Sequence, residues 1–159
     1  MVNNIKRIEP EAASADWRIA IIMSRYNGYV VDRLLQACLA RLAVAGLPDS
    51  NITLIKVPGA FEIPVAAAEV ARKRKVDAVI TLGAVIRGET PHFDFICRSC
   101  ADGIARVALD YQLPVIFGVL TVDTSQQAMD RSGEEESNKG TEAAQTALDM
   151  ISVLGKIRA

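Results

Sequence analysis

Ring chemistry is scarce in this chain: its 159 residues include one histidine, one tryptophan and only 5% aromatic side chains. A lone histidine cannot supply the paired histidines of common zinc sites, and three cysteines are too few, and odd in number, for a disulfide framework. Cys97 and Cys100 spell C-x-x-C, but no second cysteine pair or histidine accompanies them. Both fall in an apolar-periodic stretch, where packing is the simpler role. Charge of one sign is missing too. With 18 basic against 19 acidic side chains and a formal net charge of -1, there is no electrostatic footprint for nucleic acid. The run Arg72-Lys73-Arg74-Lys75 reads as a solvated helix end whose cations complement the dipole. No apolar stretch approaches the roughly 20 residues that span a bilayer, and the opening "MVNNIKRIEPEAASADW" lacks the apolar centre of a signal peptide. The expectation is a cytoplasmic protein with no nucleic-acid, membrane or metal partner.

What is present is a globular pattern, 50% hydrophobic and 23% charged, of a length that suits one domain over residues 1–159. Four β-branched runs read as strands: Ile19 to Met23, Ile52 to Val57, Ala78 to Leu82, and Val115 to Leu120. They are continuous rather than alternating, which points to a parallel sheet covered on both faces. Helical spacing lies between them. Val31, Leu34, Leu35, Cys38, Leu39 and Leu42 mark one helix, stopped by Gly46 and Pro48. A shorter helix follows Glu62, Ile96 to Val107 marks another, and Ala144 to Leu154 marks the last. This alternation predicts an α/β fold, a three-layer sandwich with right-handed crossovers. The segment to about Asp16 is weakly patterned and reads as an arm or a frayed terminus.

In open parallel sheets ligands gather beyond the carboxyl ends of the strands, so the segments there carry the candidates. After the third strand comes "AVIRGETPH". Thr90 can cap a helix, Pro91 suits its first position and His92 falls in the first turn. Free backbone N–H groups there favour an anion, and Gly88 would let the backbone approach one closely. A helix N-terminus also disfavours imidazolium, which leaves the His92 ring able to accept a proton. "PGAFEIP" after the second strand sets Phe61 beside Glu62, a pairing suited to a flat, polyol-bearing ligand or equally to core packing and a helix dipole. Tyr26 can stack on a planar ring, with Asn27 beside it for polar recognition. Arg131 and Lys139 bracket a polar loop, and Asn138 is a good cap for the last helix.

Five segments, "RYN" at 25–27, "VPGAFEIP" at 57–64, "LGAVIRGETPHFD" at 82–94, "VIFGVLT" at 115–121 and "NKG" at 138–140, together resemble the lumazine synthase family. The resemblance implies a flavodoxin-like sandwich with a four-stranded parallel core sheet and an N-terminal strand added to a neighbouring subunit's sheet. It implies pentameric rings, in some members built into icosahedral shells of sixty subunits able to enclose riboflavin synthase. The implied reaction condenses 5-amino-6-ribitylaminouracil with 3,4-dihydroxy-2-butanone 4-phosphate, the penultimate step of riboflavin biosynthesis. It releases phosphate and water and uses no cofactor.

Carried onto this chain, the family pattern puts the active site between adjacent subunits. One contributes Tyr26 to stack on the uracil, Asn27, the corner Gly59-Ala60-Phe61-Glu62 with Glu62 on ribityl hydroxyls, and backbone groups of Val85 and Ile86 to the pyrimidine. The same subunit supplies Gly88, Glu89 and Thr90 for the phosphate and His92 as proton shuttle. Its neighbour supplies Phe117, Arg131 on the phosphate, and Lys139. Two departures stand out: Tyr26 replaces the usual phenylalanine or tryptophan, and Glu134-Glu135-Glu136 is more acidic than usual. A signalling module on the same fold would need an acidic cluster at the strand ends, which this chain does not show.

Overall fold

Ile19–Ser24 (β1), Ile52–Val57 (β2), Ala78–Ile86 (β3) and Val115–Val122 (β4) form one parallel sheet in the order β2-β1-β3-β4. This is a computed structural model, and it describes residues 3–159. All six residues of β1 are buried, because the central strand is covered on both faces. Alternate residues feed two cores. Ile19, Ile21 and Met23 point with Ile80 and Leu82 into one, against Gly28–Val44 (α1) and Lys139–Arg158 (α5). Ala20, Ile22 and Val79 point into the other, against Ile63–Arg72 (α2) and His92–Tyr111 (α3). The three layers follow from this alternation. The edge strand β2 is less covered than its apolar run suggests, and Leu54 is exposed.

Several boundaries differ from the sequence reading. β3 runs on to Ile86 and β4 to Val122, because the two strands keep pairing beyond Leu82 and Gly118, from Gly83 with Val119 to Ile86 with Val122. β3 pairs with β1 only as far as Leu82, so its last residues are strand on one edge and open on the other. Ser125–Arg131 forms a helix (α4) that apolar spacing did not reveal. Its signal is polar: Thr124 Oγ1 accepts from Gln127 N at 3.1 Å, and the Gln127 side chain accepts from Thr124 N at 3.3 Å, a capping box.

The stop after α1 is as expected. Gly46 adopts φ 91°, a left-handed conformation that costs glycine nothing, and Leu47 N donates to Leu42 O at 3.1 Å. Residues 3–16 form no strand within the chain. Instead Glu11 N donates to Ser152 Oγ at 2.9 Å, and Lys156 Nζ meets the Glu11 carboxylate at 2.8 Å, laying this part of the arm along α5.

Candidate active site

Two hollows lie where the strand ends and the β4 edge leave the sheet uncovered. The first, about 520 Å³, gathers the turns after β1 and β2, the end of β3 and the start of α3. Tyr26, Asn27, Gly59, Ala60, Phe61, Glu62, Val85, Ile86 and His92 all line it, together with Ala84 and Ile96, which sequence reasoning did not single out. Four separated segments thus converge, as they should at the carboxyl end of a parallel sheet.

Local chemistry fixes each wall. Asn27 takes the left-handed conformation, φ 58° and ψ 41°, which asparagine tolerates better than most residues, and its Nδ2 donates to Ala84 O at 2.8 Å. The residue expected to read a ligand is therefore also the tie between the β1 turn and β3. Glu62 Oε2 accepts from Gly59 N at 3.0 Å, closing the 3-10 turn Ala60–Glu62 through one of its two carboxylate oxygens. That turn holds Phe61 out at 56% exposure, and Tyr26 is 67% exposed. Both aromatics are surface walls of the hollow, not core. Backbone groups on parallel strands alternate in direction, so Ala84 and Ile86 present theirs on the β1 side. Ala84 O already accepts Asn27 there, and Ile86 has no β1 residue opposite.

The loop after β3 caps one residue later than expected: Pro91 and not Thr90 takes the cap position, and no side chain makes the cap bond. Pro91 has helical angles, φ -64° and ψ -3°, and Thr90 Oγ1 accepts from His92 N at 3.4 Å. His92 is exposed at the first position of α3. Gly88, Glu89 and Thr90 are exposed and line neither hollow, lying in sequence between the lining residues Ile86 and His92. A Cβ at Gly88 would meet nothing within 4 Å, so the fold itself does not require glycine there. Arg87, given no role from the sequence, fastens the loop. It bonds Asp123 at 2.8 Å, reaches Asp94 at 3.5 Å and lies 4.3 Å from the Phe93 ring centroid. The Asp123 hydrogen bond is the main cause of its raised pKa.

The second hollow, about 530 Å³, runs along β4 from Val115 to Val122 and is closed by α4 and α5. Phe117, 44% exposed, is in its wall with Arg131 and Lys139. Arg131 Nη1 donates to Gln127 O at 3.2 Å, and Lys139 Nζ pairs with Glu142 at 2.7 Å. Glu142 and Thr146 also line this hollow and were not anticipated. The two linings share no residue. Within one chain, then, the candidate residues fall into two groups on separate surfaces.

Two of the three cysteines are packing groups, and Cys97 is partly exposed. Cys38 lies in the core under α1 and Cys100 in the core under α3, both fully buried. Among the described residues no group of three or more histidine, cysteine, aspartate or glutamate side chains is placed to hold a metal, and no helix is long and apolar enough to cross a membrane.

The sequence model of the 6,7-dimethyl-8-ribityllumazine synthase family matches residues 16–155. The chain belongs to that family. Its reaction is the lumazine synthase step of riboflavin biosynthesis, a transferase reaction in which 5-amino-6-ribitylaminouracil condenses with 3,4-dihydroxy-2-butanone 4-phosphate. The four-stranded parallel sheet flanked by helices is the flavodoxin-like sandwich that the resemblance implied.

Proposed function

We propose that this chain catalyses the family condensation at sites between copies of itself, with the strand-end hollow of one facing the β4 hollow of the next. The observation that carries this reading is the division of the candidate residues. The first hollow offers aromatic faces, a carboxylate, open strand backbone and an imidazole, but no lysine or arginine in its lining; the second offers both. Neither alone suits an anionic, condensing pair of substrates. Tyr26, Phe61 and Phe117 are exposed aromatics on concave walls, the kind of surface that a second subunit covers.

In the joined site Tyr26 stacks on the uracil, Asn27 and the backbone of Ile86 fix its polar edge, Val85, whose own backbone groups face β4, lines the wall beside it, and the free oxygen of Glu62 takes ribityl hydroxyls. Gly59 and Ala60 shape the corner that presents Phe61 and Glu62. The backbone and hydroxyl of Gly88, Glu89 and Thr90 hold the phosphate from one side, and Arg131 and Lys139 of the neighbour hold it from the other. The substrate amine attacks the ketone, and water leaves as the imine forms. Elimination then releases inorganic phosphate, the resulting enol returns to a ketone, and the ribityl-bearing amine closes on that carbonyl with loss of a second water. His92 moves the protons of imine formation and elimination, and Arg131 stabilises the departing phosphate. Amine and ketone react without help once held together, so positioning is the larger part of the catalysis.

The assembly is a head-to-tail ring, pentameric in this reading and able to build into a shell that encloses riboflavin synthase, in the cytoplasm. Residues 1–16 are the arm that adds a strand to a neighbour. Met1 and Val2 lie outside the described residues, while Ile5 and Ile8 are 63% and 39% exposed and so free to pack elsewhere. The open β2 edge is the natural receiver, because the β4 edge is a wall of the site.

Subunit mixing tests this. Each of His92→Ala and Arg131→Ala impairs every site when expressed alone. Co-expressed in equal amounts in a ring with head-to-tail sites, they regenerate about a quarter of the sites intact. Lumazine formation, followed by absorbance, should therefore recover to about a quarter of the unmutated rate. No recovery in co-purified mixed rings would put the whole site inside one chain. Unmutated protein that fails to exceed the protein-free rate would overturn the catalytic reading itself.

A further inference from the structure

Arg131 and Lys139 stand at the two ends of one polar loop, and the loop is knotted to α1 by a single buried amide. Asn138 is 3% exposed. Its Nδ2 donates to Gly133 O at 2.9 Å and to Arg33 O at 3.4 Å, while its Oδ1 accepts from Gly140 N at 2.8 Å. The near end of the loop is docked on the same α1 residue. Arg33 Nε donates to Ser132 O at 2.8 Å, and Ser132, fully buried, returns its hydroxyl to Ala128 O at 2.9 Å. At the far end Gly140 packs directly on the Leu34 carbonyl, where any Cβ would collide. Two consecutive residues of α1 therefore carry both ends of the loop.

We propose that Asn138 is a positioning residue for the phosphate: its amide closes the loop from Gly133 to Asn138 against α1 and so sets Arg131 and Lys139 on one wall of the β4 hollow. This rests on the reading that those two cations handle the phosphate. Capping α5 and closing the loop are separable, because the cap uses Oδ1 as acceptor and the closure uses Nδ2 as donor. Asn138→Asp keeps the acceptor and removes the donor. Arg131 and Lys139 remain present in that variant but lose their mutual placement.

The experiment measures both substrate KM values, and inhibition by inorganic phosphate, for the assembled protein and for Asn138→Asp. The KM for the butanone phosphate and the phosphate inhibition constant should each rise about tenfold, with the aminouracil KM within about twofold of unmutated. Combining Asn138→Asp with Arg131→Ala should add little to Arg131→Ala alone, because both act on the same contact. Arg33→Gln, a change at an exposed residue, removes the bond to Ser132 O and should raise the same two constants about threefold. It decides the matter if Asn138→Asp does not assemble. Equal rises in both substrate KM values, or full additivity with Arg131→Ala, overturns the proposal. So do unchanged phosphate constants in an assembled variant that bears either change. If Arg131→Ala itself leaves the phosphate constants unmoved, it is the phosphate role of the cation that fails.

Discussion

The ring of Tyr26 lies directly over Gly59. A Cβ there would come within 2.7 Å of Tyr26 Cδ2 and 2.8 Å of Cε2. Gly59 has φ -140° and ψ 179°, extended backbone open to any residue, so it is the approach of the ring and not the turn that calls for glycine. Tyr26 is otherwise exposed, at 67% in the single chain.

Gly59→Ala should therefore displace the Tyr26 ring without unfolding the chain. The aminouracil KM should rise about five- to tenfold, with the butanone phosphate KM little changed and stability within about 1 kcal/mol of unmutated. Steady-state kinetics and thermal denaturation measure both. A large loss of stability would mean that the tyrosine contact holds the fold rather than the substrate.

His92→Ala should slow turnover by about ten- to a few-hundredfold, the usual reach of a general acid-base group or somewhat less. Arg131→Ala should raise the KM for the butanone phosphate and lower kcat, since the cation serves both binding and departure of the phosphate. Near-total loss in His92→Ala would contradict catalysis dominated by positioning, and unchanged kinetics in Arg131→Ala would remove that residue from the site.

How much of this is legible in the sequence depends on the kind of signal. The four strand cores are read from β-branched runs such as Ile19 to Met23, because burial on both faces leaves no alternation to confuse the pattern. The ends of β3 and β4 are not, since their extension comes from pairing with each other and not from composition. α4 is invisible to apolar spacing because only Ala128 of its seven residues is buried; its capping pair, Thr124 and Gln127, is the readable trace. At the site, Tyr26, Asn27, the corner Gly59 to Glu62, Val85, Ile86 and His92 converge on one hollow as their positions after the strands imply, whereas Gly88, Glu89 and Thr90 line neither hollow. Arg87 and Asn27 show what pattern alone misses. The clamp of Arg87 on Asp94 and Asp123 joins residues 7 and 36 positions away, and the amide of Asn27 is committed to Ala84 O, 57 positions on.

Lys139 is held by Glu142 at 2.7 Å, an exposed pair on the wall of the β4 hollow. A carboxylate there opposes an incoming phosphate. Glu142→Gln should free the ammonium and lower the KM for the butanone phosphate about two- to threefold, an advantage that shrinks as salt is added. If the KM rises instead, Glu142 orients Lys139 toward the phosphate and does not compete with it.

Burial raises the Cys38 thiol from an ordinary value of 9.0 to about 12, and burial, with a smaller contribution from Cys97, raises Cys100 to about 12. The partly exposed Cys97 is also raised, chiefly by desolvation, with Asp94 adding to the shift and Arg87 opposing it. A thiol whose folded-state pKa is raised holds its proton more tightly when folded than when unfolded. Its contribution to stability is complete below pH 9 and is lost as pH climbs toward 12. For Cys38 the loss across that window is about 4 kcal/mol. Denaturant unfolding at pH 8 and pH 11 should show a steeper decline in the unmutated protein than in Cys38→Ala, which lacks the titrating group although it is less stable at pH 8. Parallel declines would show that Cys38 is not the group being ionised. Thiol labelling at pH 8 supplies the companion measurement: without denaturant at most one thiol per chain, Cys97, should react, and unfolding should expose all three.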